Sequence, residues 1–176
     1  MFIRLWIAMI CLALTGCGSM SAHVTAEHDA SVDFSKYKTF AWHPQGMTSM
    51  GIPAQRAAAA QTIIREIVEQ DLARAGYKHA TYGTPDFFIA TTIGAVNLTK
   101  VRQWGTAEGG FTQTPTQVPV QSEQMREGSI VVDFFDNKTS QLLWRGKAHG
   151  AVNPEAKMRP QVEGPMRAMM AKFPPK

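Results

Sequence analysis

Residues 128–152 read GSIVVDFFDNKTSQLLWRGKAHGAV, and this stretch decides the fold. Ile130, Val132 and Phe134 alternate with Val131, Asp133 and Phe135, which is the period of two expected of a β-strand. Residues 136–139 combine Asp, Asn and Thr, which favour a turn. Residues 142–152 supply a second extended run with Trp, Arg and Gly near its middle. The stretch therefore predicts an antiparallel hairpin.

A long helix and two further strands are predicted before the hairpin. Apolar residues recur every three or four positions from Ala57 to Ala75, with charged residues between them, which predicts an amphipathic helix of about six turns. Pro53 suits its first turn and Gly76 its carboxyl-terminal cap. Residues 37–42 and 86–93 have the aromatic and β-branched content of strands.

The remaining segments carry weaker signals. We expect His43-Pro44 to end the first strand and residues 45–52 to form a loop. Residues 97–126 are rich in Gln, Thr, Gly and Pro without a period, so we expect them to lack regular structure and to be the most mobile part of the domain. Gly164-Pro165 confines the last predicted helix to about residues 165–172.

This order of elements predicts an α+β fold. Two helices on one face of a mixed sheet of four or more strands form a two-layer sandwich. The long helix allows a right-handed crossover, so the first two strands can be parallel.

The amino-terminal residues predict export and lipidation. Arg4 precedes an apolar run over residues 5–14, which is too short for a membrane span of roughly 20 residues. Leu14-Thr15-Gly16-Cys17 resembles a bacterial lipobox, in which the Cys thiol takes a diacylglycerol unit. The alternative is a free cysteine near the end of an ordinary signal peptide. Gly18 and Ser19 follow Cys17. In enteric bacteria an Asp directly after the lipidated Cys retains a lipoprotein in the inner membrane, and its absence here predicts location in the outer membrane.

The predicted domains are therefore a signal peptide over residues 1–16, a lipidated tether over residues 17–32 and one α+β domain over residues 33–176. Composition agrees with a single folded domain, since 44% of the 176 residues are hydrophobic and 18% are charged. The net charge is +4, but the Lys and Arg residues form no continuous basic block, so nucleic acid is not an expected partner. Two cysteines exclude a disulfide-stapled scaffold.

Several short motifs resemble one family of bacterial envelope lipoproteins, the domain of unknown function 4136 family. The resemblance covers nearly all of the chain after Cys17 and depends on DFSKYKTFAW at 33–42, AGY at 75–77, DFFI at 86–89, VDFFD at 132–136, LLWRG at 142–146 and FPP at 173–175. The resemblance implies a fold and a location in the cell envelope, and it gives no catalytic residues to transfer to this chain.

The sequence contains no recognised catalytic pattern. It has no Gly-x-Ser-x-Gly elbow and no His-Glu-x-x-His. Asp133 and Asp136 form a candidate carboxylate pair, but we expect Asp133 to pair with Arg145 and Asp136 to make the turn. Lys147 and His149 share the strand face of Arg145, as on the solvent side of a hairpin. We therefore expect the protein to have no enzymatic activity.

No cofactor or metal site is predicted either. His23 and His28 lie beside Glu27 and Asp29, but a tether supplies no fixed ligand geometry. Met47 and Met50 lack the Cys or paired His of a copper site. His43 is expected at a strand end, and His79 in a loop.

Two functions remain open. The first is a non-enzymatic, lipid-anchored protein on the periplasmic face of the outer membrane, bound to the membrane through its acyl chains and acting as an interaction or structural module for an envelope protein or lipid. The second is a domain that binds a lipid or peptide in an apolar groove between sheet and helices. Trp42, Trp144 and Arg145 are the candidate ligand or partner surface, and packing alone is the other interpretation of the tryptophans.

Overall fold

The structure is a computed structural model that describes residues 22–103 and 120–174. The elements, in chain order, are β1 (His23–His28), β2 (Thr39–Met50), α1 (Ala54–Arg74), β3 (Lys78–His79), β4 (Phe87–Gln103), β5 (Val120–Asp136), β6 (Leu142–Ala151) and α2 (Met158–Met170), with a 3-10 turn at Phe34–Lys36 before β2. Neither helix of this described part is both long and apolar enough to cross a membrane.

The six strands form one mixed sheet in the order β1-β6-β5-β4-β2-β3. β2 is parallel to β3 and β4, as the crossover through α1 predicts, and the other pairs are antiparallel. β5 and β6 form the predicted hairpin, with Asp133 opposite Arg145. The α+β prediction is confirmed, and the sheet remains open.

The core lies between the sheet and the two helices. Alternate strand residues point into it, because successive side chains of a strand lie on opposite faces. The largest fully buried side chains come from both layers: Trp144, Phe40, Phe87, Phe134 and Ile89 from the strands, and Ile64, Ile67, Leu72, Met166 and Met169 from the helices. Burial of each stabilises the fold by about 1.5–3 kcal/mol.

The first correction concerns the expected tether. Residues 23–28 are a strand, β1, which pairs with β6 from His23↔His149 to His28↔Trp144. Val24 and Ala26 pack against the core. Two small inward residues among polar neighbours give too weak a pattern to reveal an edge strand. The folded domain therefore begins by residue 23, and the expected boundary at residue 32 is wrong.

The second correction concerns the expected end of β2. The strand continues past Pro44, and its register on β4 shifts between Trp42 and Met47. Pro44 lies in this irregularity, where its missing N–H interrupts no ladder. Residues 47–50 then pair with residues 91–94, so the predicted loop is wrong over these residues.

The third correction concerns residues 97–126. β4 and β5 pair continuously from Phe87↔Asp136 to Gln103↔Val120, so residues 97–103 and 120–126 are regular strand. Val96 and Leu98 are exposed, so at these two positions the strand needs no apolar period. Residues 104–119, which include Trp104 and Gly109-Gly110, lie outside the described residues.

The fourth correction concerns the last helix, which begins at Met158 instead of residue 165. Pro160 lies in its first turn, where the backbone N–H has no helical partner in any case. Pro165 lies inside α2, at the cost of one backbone hydrogen bond. Packing of Val162, Met166 and Met169 against the core outweighs that loss.

Candidate functional site

Trp144 lies in the filled part of the core. It is 0% exposed, and its ring centroid is 5.0 Å from that of Phe134 and 5.5 Å from that of Phe173. The space between sheet and helices beside this ring is therefore occupied by aromatic side chains. Trp144 contributes packing in the described structure.

Trp42 packs under the first helix. Its Nε1–H donates a hydrogen bond of 2.7 Å to Oε1 of Glu69, and the guanidinium carbon of Arg65 lies 4.4 Å from the ring centroid. Both partners are on α1 and attach it to β2. A guanidinium over an indole face is a favourable cation–π contact.

Arg145 lies on the opposite face of the sheet. Its Nε and Nη2 donate to the two carboxylate oxygens of Asp133 at 2.6 and 2.9 Å, which confirms the predicted pair. The hydrogen bond with Asp133 raises the pKa of Arg145. Lys147 donates to Glu27 at 2.9 Å on the same face. The structure thus separates Arg145 from both tryptophans.

The turn role predicted for Asp136 is confirmed. Its Oδ1 accepts hydrogen bonds from the backbone N–H groups of Lys138 and Thr139 at 2.8 and 2.7 Å. Its Oδ2 accepts one of 2.8 Å from the Tyr37 hydroxyl, a contact that sequence reasoning missed. Asp133 and Asp136 are therefore both engaged in structural hydrogen bonds.

Two of the histidines lie close together, on adjacent strands. His23 and His149 lie on adjacent strands with ring centroids 5.0 Å apart, and His43 packs edge-on against Phe88 at 5.7 Å. His79 lies in the short strand β3 instead of a loop. Among the described residues, no three His, Cys, Asp or Glu side chains form a group that could hold a metal ion.

An apolar groove opens between the sheet and α2, with part of α1 on its other wall. Its volume is about 660 Å³. Aliphatic side chains from both layers line it, among them Val24, Ile93, Ile130, Ala148, Met158 and Val162. Neither Trp42 nor Trp144 lines it. The groove expected beside Trp144 is thus found elsewhere in the same interlayer space.

Two arginines lie in the lining of this groove. Arg56 of α1 donates from Nη2 to the carbonyl oxygen of Ala156 at 3.2 Å. Arg126 of β5 donates from Nη2 to the carbonyl oxygen of Gly51. Among the side chains that the structure describes, neither guanidinium forms an ion pair with a carboxylate. The groove therefore combines an apolar wall with positive charge.

Sequence reasoning missed this position for a physical reason. The space exists because small residues face it from strands and helices: Ala60, Gly128, Ala148, Gly150, Gly164 and Ala168. Small residues in a periodic pattern also occur in tightly packed layers, so the pattern alone does not separate a void from a contact.

A second, more open cleft of about 400 Å³ lies beside the 3-10 turn, lined by residues that include Asp33, Tyr37, Gly76 and Tyr77. Tyr37 and Asp33 already use their polar atoms in hydrogen bonds within the fold. The interlayer groove is larger and more apolar, and it is the stronger candidate for a ligand.

Comparison with known proteins gives one match along nearly the whole domain. A sequence-family profile described as "Domain of unknown function (DUF4136)" matches residues 24–175. The match begins at the second residue of β1.

Individual relatives are distant. The chain is similar to rhodanese-like domain-containing protein 15, chloroplastic, of Arabidopsis thaliana, with 26% identity over 128 residues, 72% of this chain and 69% of that protein. A solved PDZ domain protein from Parabacteroides distasonis has a TM-score of 0.52 at 15% identity and covers 90% of this chain. This chain covers 37% of that protein's length, and the likeness concerns the fold alone. The PelC dodecamer from Paraburkholderia phytofirmans matches at a TM-score of 0.45 and 8% identity, covering 86% of this chain and 94% of that one.

Proposed function

This chain belongs to the DUF4136 family, and on that premise we propose that it is a non-enzymatic lipoprotein, anchored through Cys17 in the outer membrane with its domain facing the periplasm. The observation that carries the proposal is Leu14-Thr15-Gly16-Cys17 behind a short apolar run. Two acyl chains on one cysteine suffice for stable anchoring.

The folded domain then serves as an interaction or structural module. The sheet face opposite the two described helices, here called the uncovered face, supports this role, because it presents half-buried residues such as Phe88, Thr92 and Val131 beside the Asp133–Arg145 pair. A non-obligate protein interface also has this mixed character, since it is about as apolar as the rest of a protein surface. The carboxylates weighed as catalytic candidates are used in pairing and turn formation.

A second candidate function is supported by the interlayer groove. Its volume of about 660 Å³ lies within the roughly 300–1,000 Å³ of small-molecule sites, which are mostly apolar with a few polar groups. In this alternative the domain binds an apolar ligand, and the anchor keeps it at the membrane surface.

Site-specific photocrosslinking in native membranes separates the two candidates. A photoreactive residue at Thr92 probes the uncovered face, one at Ala168 probes the groove, and one at Arg74, on the exposed end of α1, is the control. A protein adduct formed from position 92 and not from 74 supports the interaction module. A small lipid-sized adduct formed from position 168 alone supports the binder.

An enzymatic result would overturn both candidates. Turnover of an envelope substrate by the purified protein, abolished by Asp133→Asn or Arg145→Gln but not by Arg74→Gln, would show that the pair on the sheet acts in catalysis.

A further inference from the structure

The groove has the chemistry of a site for one specific class of ligand. We propose that it binds a long-chain fatty carboxylate, with the hydrocarbon chain between α2 and the sheet and the carboxylate at Arg56 and Arg126. This inference rests on the second candidate function, the groove as a ligand site.

The apolar wall fits a hydrocarbon chain. Val24, Ile130 and Ala148 come from three adjacent strands, and Val162 and Met158 face them from α2. All are aliphatic or thioether side chains without hydrogen-bonding groups that a polar ligand would need. A hydrocarbon chain that moves from water into this part of the groove gains free energy from the hydrophobic effect. It leaves no polar group there without a hydrogen-bond partner.

The two arginines lie at one end of the molecule. Arg126 holds the β2–α1 connection through Gly51, and Arg56 holds the β6–α2 connection through Ala156. The backbone N–H of Val152, in the same β6–α2 connection, donates to the carbonyl oxygen of Arg126 at 2.8 Å. Each guanidinium group is therefore bound to one of the two connections that frame this end of the groove.

Each guanidinium keeps donors for a ligand. Arginine carries five N–H donors in a planar fork, and the contacts described here use one Nη2 of each residue. A carboxylate accepts two parallel hydrogen bonds from such a fork. A charged carboxylate at this end and an apolar chain beyond it thus match the lining in both charge and polarity.

The simplest competing account is that the arginines only fasten the two connections. In that case their removal would loosen the groove for every ligand to the same degree. The proposal predicts a selective loss, because only a charged head group uses the free N–H donors. A neutral ligand of equal chain length therefore distinguishes the two accounts.

The experiment uses the chain from residue 18 onward, which retains every residue that the structure describes, 22–103 and 120–174. Palmitate and hexadecanol are titrated against a bound fluorescent fatty-acid probe. Arg56→Gln and Arg126→Gln should each weaken palmitate about tenfold, as expected for loss of a charged hydrogen-bonded pair. Hexadecanol should change by no more than about twofold. Arg74→Gln, on the exposed end of α1, should change neither.

Two further variants keep the test decisive if either Gln variant fails to fold. Arg56→Lys and Arg126→Lys retain the charge without the fork and should weaken palmitate less than the Gln variants. Ala168→Trp fills the groove from an exposed position on α2 and should weaken both ligands. The unfolding midpoint of each variant reports whether the fold is intact.

Each contrary result has a defined meaning. The carboxylate site is overturned if the Gln variants lose affinity for palmitate and hexadecanol equally. It is also overturned if the unchanged chain binds both with equal affinity. In either case the groove remains a ligand-binding site. Preference for a two-chain phospholipid over palmitate likewise overturns it. Failure of the unchanged chain to bind any of these, or insensitivity to Ala168→Trp, removes the groove function itself.

Discussion

Two aspartates and one tyrosine connect the strand ends at one edge of the domain. Oδ2 of Asp86 accepts hydrogen bonds of 2.8 Å from the backbone N–H groups of Lys38 and Thr39. Asp136 accepts from its own turn and from Tyr37. Burial alone would raise the pKa of each carboxyl, but the hydrogen bonds outweigh it and lower both pKa values. These carboxylates therefore stabilise the fold in their ionised form.

Tyr37 makes the domain sensitive to alkaline pH. Burial and its hydrogen bond to Asp136 raise the pKa of Tyr37 from 10.0 to about 12. A phenol whose pKa is higher in the folded state stabilises the fold fully below pH 10, and this contribution is lost as pH rises from about 10 to about 12. We expect the free energy of unfolding to fall over this interval in the unchanged protein.

Tyr37→Phe should remove that part of the pH dependence, because it deletes the titrating group. The measurement is urea unfolding at a series of pH values for both proteins, with the difference isolating Tyr37 from the lysines. Parallel pH profiles would contradict the assignment.

Gly76 ends α1 in a conformation that other residues resist. Its φ is +92°, and a β-branched residue pays about 1–2 kcal/mol for a left-handed backbone. Gly76→Ile should therefore lower the free energy of unfolding by about 1 kcal/mol or more. No heavy atom lies within 4 Å of a Cβ at this position, so the Cβ itself adds no steric clash to the conformational cost.

Chemical denaturation checks this prediction, with Gly76→Asn as the matched variant, since Asn tolerates this region better. Equal midpoints for the glycine and isoleucine proteins would be incompatible with the described cap.

At the scale of elements, Gly146 sets how closely α2 approaches β6. A Cβ on this residue would lie 2.4 Å from Cγ of Met169 and 2.5 Å from the Trp144 ring. Gly146→Val should force the helix outward and destabilise the domain by about 1–3 kcal/mol through overpacking. This contact also explains why Gly follows Trp144-Arg145 in the sequence. Trp144 packs in the core, Arg145 forms an ion pair on the other face, and Gly146 allows the helix to approach.

Gly164→Ala in α2 is the matched control with the opposite sign. No atom lies within 4 Å of a Cβ there, and Ala favours a helix interior by roughly 1 kcal/mol over Gly. Thermal unfolding of both variants tests the pair. A loss of stability in Gly164→Ala, or none in Gly146→Val, would contradict the described packing of α2.

The elements differ in how far the sequence predicts them. The β5–β6 hairpin is predictable because one of its faces is buried and its turn has Asp136 and Asn137 chemistry. The helix α1 is predictable from its stripe of apolar residues at helical spacing and from Gly76 as its carboxyl-terminal cap. β1 is not, because its two core-facing residues, Val24 and Ala26, are small and stand among polar residues. The extension of the β4–β5 pair to Gln103↔Val120 is not, because its residues show no apolar period. The position of the groove is not predictable either, because the small residues that line it also occur in tightly packed layers.

For the whole molecule, the position of β1 changes the expected reach of the domain. The tether expected over residues 17–32 shortens to the step from Cys17 to His23, because β1 starts there. Six residues extend at most about 20 Å. If Cys17 carries the anchor, the domain and its groove lie close to the membrane surface.

The account depends most on lipidation at Cys17, and one measurement tests it directly. Mass spectrometry of the protein from the outer-membrane fraction should show a mature chain that begins at Cys17 and carries the mass of a diacylglyceryl group. Cys17→Ser should abolish both the modification and the outer-membrane location. A soluble periplasmic chain with an unmodified Cys17 thiol would contradict the anchored function.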